Sequence, residues 1–423
     1  METNEFNMTR RGRNGIKLAI IAGLCILLLI PWAFTRSLIS ERSTTVDDAE
    51  SEVCEKWGLA QQVKGPAIKV YTQKEEQSFS LLPDRLDIDA EVSTRSLNRG
   101  IYDFTVYDAD IVLRGEFLLP PTLTADQRSL LDRNCWQMAV QLHSLKGLTD
   151  NPTVVIGGRT LTAQEVTFEG SRLLWQADLS ALLRGEALPF EVRLPLRGSN
   201  ALEFVPMGNT TSVRMHSNCP TPSFDGTFLP VERTVTADGF DAQWRVLAIN
   251  RSFSQVVPKD LWTSTDDDAF SVQLRRPVMQ YQQNDRASKY AFLVVLLTFA
   301  VVFFVEVRRD RPIHPVQYLL IGIAVMLFYT LLLSFSEHLS FLLSYLIASA
   351  MTAGLLGVYL GAIMRDRKVG LVIGGLLAAL YAFIYILLQI ESYALLVGSV
   401  GLFALLAVAM AASRRIDWYN GKQ

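Results

Sequence analysis

Cysteine and histidine are scarce in this chain, which limits the sites that it can build. The 423 residues include four cysteines and four histidines. No CxxC pair and no zinc-type cysteine–histidine spacing is present, so the sequence predicts no metal site and no cofactor. The motifs HExxH, GxSxG and the Walker-type loop are also absent. We therefore expect no catalytic residue and a protein that is not an enzyme.

Charge is also sparse and nearly balanced. Only 19% of the residues are charged, 50% are hydrophobic, and the formal net charge is -2. A nucleic-acid partner would call for a clustered basic face, so this class is excluded. The charges are dense between residues 40 and 289 and are afterwards nearly confined to short turns. This split predicts one water-exposed domain and a helical membrane bundle.

The apolar runs predict six membrane-spanning helices, because about 20 apolar residues match the ~30 Å hydrocarbon core of a bilayer. Every turn rich in Lys and Arg falls on the side of the amino-terminal arginines, which places both termini in the cytoplasm. The first run fits an uncleaved anchor or a cleaved signal peptide, and we favour the anchor. The predicted segments are a cytoplasmic tail 1–15, spans 16–36, 290–307, 316–335, 339–364, 369–388 and 393–412, a periplasmic domain 37–289, and a cytoplasmic tail 413–423.

The predicted external domain shows the two-residue alternation of half-buried strands. Phe240, Ala242 and Trp244 alternate with polar residues, and residues 102–106 and 136–142 repeat the pattern. Gly157-Gly158 between β-branched runs predicts a hairpin over residues 153–161. A short helix is expected after Thr124, which has capping-box spacing to Gln127. The fold class is therefore a six-helix membrane bundle with a large, mainly antiparallel, sandwich-like periplasmic β domain inserted between the first and second spans.

Two further features of this domain concern cysteines and carboxylates. Cys54, Cys135 and Cys219 allow one disulfide with one thiol left over, and the pairing stays open. Cys25 lies in the first apolar run and is expected to be a core residue. The run Asp266-Asp267-Asp268 lacks the rest of a calcium loop, so we expect a solvated turn.

Small residues recur at intervals of four in two predicted spans. This spacing lets helix backbones approach closely in lipid. A short turn joins the two helices, so we predict that the stripes face each other; a substrate path lined by them is the alternative. The helix-packing residues are Ser349, Ala353, Gly357 and Gly361 in the fourth span, and Gly370, Gly374, Ala378 and Ala382 in the fifth.

Glu337 and His338 are adjacent in the turn after the third span. A carboxylate beside an imidazole can titrate near neutral pH, so the pair is a candidate functional site. The alternative is that both residues only cap a tight turn. Other ionisable residues of the bundle, such as Glu306, are expected at span ends, away from mid-membrane.

Several long strings resemble the bacterial inner membrane protein CreD family, over nearly the whole chain. They are PSFDGTFLP (222–230), GFDAQWRV (239–246), RASKYAFLVVLLTFAVVFFVE (286–306), RPIHPVQYLLIGIAVMLFYTLLLSFSEHLSF (311–341) and RRIDWY (414–419). The resemblance implies a member of a two-component-system regulon that supports cell-envelope integrity and tolerance of envelope stress. It adds Arg311 and His314, in a matched loop, to the candidate interaction residues.

The expected function is therefore a non-enzymatic one, in which the external domain binds envelope proteins or cell-wall components beside the lipid bilayer. The alternative is a transporter or lipid-handling protein with a path through the bundle. Polar residues at mid-membrane would favour that alternative.

Overall fold

The computed structural model describes residues 10–71, 77–100, 102–121, 123–132, 136–176, 178–258, 262, 265–274, 279–309, 311–390 and 394–413. The chain divides into two compact units. The helical unit comprises residues 1–46 and 278–423, and the β unit comprises residues 47–277. Cys135 lies outside the described residues.

The helices fall mainly at the two ends of the sequence. They are α1 (Arg10–Leu27), α2 (Leu29–Trp57), α3 (Ala125–Asp132), α4 (Ser180–Leu183), α5 (Met279–Lys289), α6 (Ala291–Arg309), α7 (Pro315–Ser336), α8 (Phe341–Met364), α9 (Arg367–Gln389) and α10 (Ala394–Ser413). The break between α1 and α2 lies next to Pro31, which has no N–H to donate to the carbonyl of Leu27. The expected helix after Thr124 is confirmed, and Thr124 N donates to Gln127 Oε1 over 2.9 Å.

Five helical segments of the described chain are long and apolar enough to cross a membrane: Ala19–Trp57, α6, α7, α8 and α9. Within the described residues, the prediction of six spans is therefore corrected to five candidate spans. The sixth predicted span falls on α10, a helix of 20 residues. Hydropathy alone suggested that span. Phe403 of this helix is 74% exposed, and several other side chains of α10 lie outside the described residues.

The helix that holds the first span extends well beyond the apolar run. The β-rich domain was expected to begin at residue 37, whereas α2 continues to Trp57 and the first strand begins at Gln61. Within the β unit, the end of α2 is held on the sheet by aromatic and ionic contacts. The Trp57 ring contacts two guanidiniums, with its centroid 4.2 Å from Arg95 Cζ and 5.1 Å from Arg197 Cζ. Glu52 pairs with Arg99 over 2.5 Å.

The β unit contains two sheets built from seventeen described strands. They are β1 (Gln61–Tyr71), β2 (Gln77–Leu81), β3 (Arg85–Arg99), β4 (Tyr102–Phe117), β5 (Trp136–Leu142), β6 (Thr153–Ile156), β7 (Arg159–Leu161), β8 (Val166–Glu169), β9 (Arg172–Trp175), β10 (Leu188–Ser199), β11 (Ala201–Phe204), β12 (Thr210–Ser217), β13 (Ser223–Gly226), β14 (Glu232–Thr236), β15 (Gly239–Leu247), β16 (Val256–Pro258) and β17 (Phe270–Gln273). The nine-stranded sheet has the order β13-β17-β11-β1-β5-β9-β8, with β2 on β1 and β16 on β2. The eight-stranded sheet has the order β14-β15-β12-β3-β4-β10-β6-β7.

Pairing in both sheets is mainly antiparallel, as predicted. Only β1–β11 and β3–β12 are parallel among the described pairs. The residues expected to alternate do so, because Phe240, Ala242 and Trp244 are buried on β15. The hairpin over residues 153–161 is confirmed as β6–β7, with φ of 56° at Gly157 and 80° at Gly158.

One hydrophobic cluster draws side chains from both sheets. Trp244 of the eight-stranded sheet stacks on Phe270 of the nine-stranded sheet with ring centroids 5.4 Å apart. Cys25 is buried in the core of the helical unit, as expected. In the β unit, Cys219 is a buried free thiol whose Sγ lies 3.9 Å from the carbonyl oxygen of Leu274. Asn200 Nδ2 lies 3.9 Å from Cys54 Sγ.

The expectation of a solvated turn at Asp266-Asp267-Asp268 is wrong for Asp268, whereas Asp266 and Asp267 are exposed. Asp268 is 5% exposed and accepts hydrogen bonds from Ser252 N (2.9 Å) and Ser252 Oγ (2.5 Å). Asp266 pairs with the ammonium of Lys64, a buried residue of β1. Buried polar groups require such partners, and these partners are far away in sequence.

Candidate functional site in the helical unit

A buried carboxylate at the end of α6 is the most strongly connected ionisable group of the helical unit. Glu306 is 4% exposed. Its Oε1 forms an ion pair with Lys17 Nζ and accepts from Ile313 N over 3.0 Å. Its Oε2 accepts from the Tyr318 hydroxyl over 2.8 Å. We call Lys17, Glu306 and Tyr318 the ion-pair triad.

The turn between α6 and α7 explains how these donors reach Glu306. Pro315 occupies the first turn of α7, where its missing N–H costs nothing. His314 caps that helix, since its Nδ1 accepts from Val316 N over 3.3 Å and its own N donates to Gln317 Oε1 over 3.0 Å. This cap fixes the turn, so that Ile313 N points at Glu306 and Tyr318 follows one helical turn later.

Burial makes the three donors to the Glu306 carboxylate necessary. A carboxylate removed from water loses its hydration and requires replacement hydrogen bonds and a counter-charge. Lys17 supplies the charge, while the Tyr318 hydroxyl and the Ile313 amide supply two further bonds. The triad therefore ties the amino-terminal helix to α6 and α7.

The amino-terminal helix is held at further levels of the helical unit. The Trp32 indole donates to the carbonyl of Ser288 over 2.9 Å. Further along, Arg42 Nε lies 3.6 Å from Glu337 Oε1. The 25 residues from Lys17 to Arg42 cover about 37 Å of helix, so these contacts hold the helix over a bilayer-sized length.

Close packing accompanies the polar contacts between the same helices. Gly322 of α7 faces Leu28, and a Cβ at this position would overlap Leu28 Cδ1 and lie 3.0 Å from the Phe299 ring. A side chain at this position would therefore force the Leu28 side chain to move.

The structure separates the sequence-predicted candidates into two groups at opposite ends of α7. Glu337 ends this helix and its carboxylate pairs with Arg42. His338 lies exposed in the following turn, with its N donating to Phe335 O over 3.1 Å. At the other end, about 33 Å away along 22 residues, His314 caps the helix and Arg311 has an exposed side chain.

Buried phenols lie between α7, α8 and α9. The Phe328 ring centroid is 4.5 Å from that of Tyr381 and 5.3 Å from that of Tyr345. The Tyr345 hydroxyl donates to the carbonyl of Tyr381 over 2.9 Å. The hydroxyls of Tyr329 and Tyr381 are buried and have no hydrogen-bond partner among the described residues. These polar groups inside the helical unit were not anticipated from the sequence.

The glycines of the two small-residue stripes meet across α8 and α9. A Cβ on Gly357 would lie 3.1 Å from Gly370 O and 3.4 Å from Gly374 Cα, and one on Gly361 would lie 3.2 Å from Gly370 Cα. A Cβ on Gly374 would lie 3.4 Å from the carbonyl oxygen of Ala353.

The remaining members of the stripes have other surroundings. Ala378 and Ala382 are exposed. The Ser349 hydroxyl donates to Leu346 O within its own helix over 3.0 Å.

No group of three or more metal-ligating side chains occurs among the described residues of the β unit. Its exposed His216 and Asp241 face each other on β12 and β15, with Nδ1 and Oδ1 2.8 Å apart. The hydrogen bond to Asp241 raises the pKa of His216.

The sequence signal for the ion-pair triad was weak. Glu306 stands among apolar residues but is followed by arginines, so it resembles an ordinary flanking charge. Its partner Lys17 lies 289 residues away. A basic residue at the start of the first apolar run and an acidic residue in an otherwise basic turn were the only available signals.

Comparison with known proteins places these features in a family. A family model described as "Inner membrane protein CreD" matches residues 13–419. The inner membrane protein CreD of Escherichia coli (strain K12) is 30% identical over 427 residues, covering 95% of this chain and 93% of that protein. Among solved structures, aminopeptidase A of Legionella pneumophila in complex with aspartic acid aligns over 49% of this chain and 23% of its own, at 8% identity and a TM-score of 0.25. That score is too low to indicate a common fold.

Proposed function

We propose, since the chain belongs to the family of inner membrane protein CreD, that it supports cell-envelope integrity and envelope-stress tolerance by binding rather than by catalysis. Its β unit would contact envelope proteins or cell-wall components. Its production would be controlled by a two-component system, as the resemblance implies.

The observation that carries this proposal is an exposed apolar edge of the β unit, residues 223–236, which we call the edge segment. It contains β13 and β14, the terminal strands of the two sheet orders. Leu229 and Val231 are 64% and 70% exposed, and Val235 is 48% exposed. Large exposed apolar side chains grouped in one place mark interaction sites more often than isolated ones do.

The backbone of the edge segment supports the same proposal. β14 pairs with β15 alone among the described strands, in a register that aligns Glu232 with Gln243. An edge strand of this kind presents unpaired N–H and C=O groups to an extended partner segment. The Phe224 ring packs the segment against β15, with its centroid 5.6 Å from that of Phe240 and 5.8 Å from that of Trp244.

We further propose that the β unit lies in the periplasm and that both termini are cytoplasmic, which requires α10 to cross the membrane as a sixth span. The support is the positive-inside distribution of charge. Basic turns follow α6 and α8, whereas the turn that holds Glu337 and His338 carries neither Lys nor Arg.

The edge segment can be tested without disturbing the core. The triple variant Leu229→Thr, Val231→Thr, Val235→Thr retains strand propensity while removing apolar surface. We expect normal membrane abundance, because exposed substitutions usually change stability by less than about 0.5 kcal/mol. We also expect that this variant fails to restore envelope-stress tolerance to a deletion strain. Phe168→Ser is the matched control, since Phe168 is 76% exposed on β8 at the opposite end of the nine-stranded sheet.

Full tolerance of the triple variant at normal abundance would contradict the proposal. Equal loss in the Phe168→Ser control would show that exposed apolar area in general matters, and would also contradict a specific edge site.

A second candidate function, transport or lipid handling through the helical unit, is supported by its buried hydroxyls. Tyr329, Tyr381 and Thr298 have buried hydroxyl groups without a partner among the described residues. Polar groups inside a membrane bundle are costly and often mark a pathway. The double variant Tyr329→Phe, Tyr381→Phe separates the two candidates. Loss of tolerance at normal abundance in this variant, with tolerance retained in the edge variant, would favour the path.

A further inference from the structure

A groove runs between α8 and α9 of the helical unit. Its volume is about 1030 Å³, at the upper end of the range of about 300–1,000 Å³ that is typical of ligand pockets. The groove follows both helices to the turn that joins them, so its two ends differ in chemistry: one is apolar and the other is basic.

Helix backbone forms the floor of the groove. Gly357, Gly361, Gly370 and Gly374 line it, and they are the residues at which the two helices approach most closely. Because these residues have no side chains, the two helix backbones lie in direct contact and together form the floor. The flat backbone surface that results is suited to a flexible apolar chain.

The walls of the groove open away from the bundle. Val358 and Leu371 line it and are 76% and 77% exposed. Gly354 and Gly375 also line it, and a Cβ on either would meet no described atom within 4 Å. In a bilayer such an apolar, outward-facing opening contacts the hydrocarbon tails of lipids.

The basic end of the groove lies where α8 stops. Arg365, Arg367 and Lys368 surround a single acid, Asp366, which gives this turn a net charge of +2 (three basic minus one acidic). The acid is already engaged, because Asp366 Oδ1 accepts from Lys368 N over 2.9 Å and its Oδ2 lies 3.2 Å from Arg309. Arg365 and Arg367 line the groove and are exposed.

We propose that this groove binds an anionic phospholipid, with one acyl chain along the glycine floor and the phosphate group on Arg365 and Arg367. Basic residues between spans at the membrane surface recognise anionic head groups, and a guanidinium suits a phosphate oxygen pair. The site is separate from the edge segment and does not depend on the function proposed for it.

Charge favours a lipid over a second copy of this chain as the occupant. A copy in the same membrane has the same orientation, so a helix in the groove would bring its own basic turns to the level of Arg365 and Arg367. Those turns contain Arg308 and Arg309, and Arg365 to Lys368. An anionic lipid instead brings the opposite charge.

Native mass spectrometry of the purified full chain tests the proposal. The probes are phosphatidylglycerol and phosphatidylcholine with identical acyl chains, added to the protein in detergent. We expect the anionic lipid to bind about tenfold more tightly, given the contribution expected from basic residues at a membrane surface. Arg365→Gln with Arg367→Gln should remove this preference and leave the phosphatidylcholine affinity unchanged. Arg308→Gln, an exposed arginine outside the groove, is the matched control.

A second pair of variants tests the apolar part. Gly354→Leu with Gly375→Leu fills the groove without a backbone clash and should weaken both lipids about tenfold relative to wild type, because the acyl chain loses its surface. Gly23→Leu adds the same group on α1, where a Cβ also meets no described atom within 4 Å, and should have no effect.

Thermal melting checks that each variant is folded. Arg365→Gly is a second substitution at this position, chosen because it should not disturb the backbone. Arg365 has a φ of 51°, which glycine adopts without strain, so this variant should melt no lower than wild type and still lose lipid preference. An unchanged preference in the folded arginine variants would overturn the proposal. The proposal would also be overturned in favour of a second copy if Gly354→Leu with Gly375→Leu bound lipid as well as Gly23→Leu but changed the oligomeric state.

Discussion

Replacing Lys17 by methionine should destabilise the helical unit by leaving Glu306 buried without its cation. Methionine keeps the length and apolar stem of the lysine, so packing of α1 is preserved. The carboxylate retains the Tyr318 hydroxyl and the Ile313 amide as donors. Removal of one partner from a buried ion pair costs about 3–5 kcal/mol in proteins, and we expect this range for Lys17→Met.

Neutralising the carboxylate instead of the lysine should lower the free energy of unfolding by less. The Lys17 side chain is 20% exposed, whereas that of Glu306 is 5% exposed. In Glu306→Gln, the lysine can extend toward the membrane surface, and the glutamine amide still accepts from Tyr318. We therefore expect a loss of about 1–2 kcal/mol, the cost of an impaired hydrogen bond. The double variant should be no less stable than Lys17→Met, because it contains no isolated charge.

Reversible unfolding of the full chain in mixed micelles, followed by far-ultraviolet circular dichroism, measures these differences. The double-mutant cycle isolates the coupling between the two side chains. A coupling below about 0.5 kcal/mol, within the additivity expected for independent sites, would refute the reasoning. So would a greater loss in Glu306→Gln than in Lys17→Met, because this order would make the lysine the more deeply buried charge.

Three further predictions follow from the same structure. Gly322→Leu should lower the melting temperature of the full chain and detach the first helix, detected by faster proteolysis of that helix, because the new side chain overlaps Leu28. The hydrogen bond to Asp241 raises the pKa of His216. The stabilisation that this bond gives is therefore present below the unfolded pKa of about 6.5 and is lost as pH rises through the folded pKa. His216→Gln should remove this pH dependence, a change of less than about 1 kcal/mol in the free energy of unfolding, as measured by melting between pH 5.5 and 8.5. A green fluorescent protein fused after Gln423 should fluoresce, because the proposed six spans place it in the cytoplasm; a dark fusion would contradict the proposal and favour five spans.

Hydropathy located most of the helical unit because the relevant signal is local. The predicted span 316–335 corresponds to Pro315–Ser336, and 339–364 corresponds to Phe341–Met364. Each run ends where charge or a helix cap begins, so composition and boundary coincide. The first span differs, because polar residues after residue 36 continue the helix to Trp57, and hydropathy does not register a helix that leaves the apolar environment.

Strand periodicity likewise predicted which side chains face the core, whereas the burial of polar side chains could not be predicted from the sequence. Phe240 and Trp244 face the core because alternation fixes the face of a strand. Nothing local distinguishes Asp268, which is buried, from Asp267, which is exposed. The difference arises because Ser252, brought close only by the fold, donates two hydrogen bonds to Asp268.

The candidate site was located only in part for the same reason. Glu337 was predicted from its neighbour His338, but its partner in the structure is Arg42, on a helix at the other end of the chain. His314 was predicted as an interaction residue and caps α7. The sequence did not predict the ion-pair triad, because Lys17 and Glu306 come together only when α1 packs against α6.

The sequence separation within the ion-pair triad has a consequence for biosynthesis. Lys17 and Glu306 lie 289 residues apart, so at about 5–20 residues per second the ribosome needs about 15–60 s to make the second after the first. During this interval the lysine has no counter-charge, and Leu28 has no Gly322 to pack against. The contacts that hold the first helix can therefore form only after translation has passed α7.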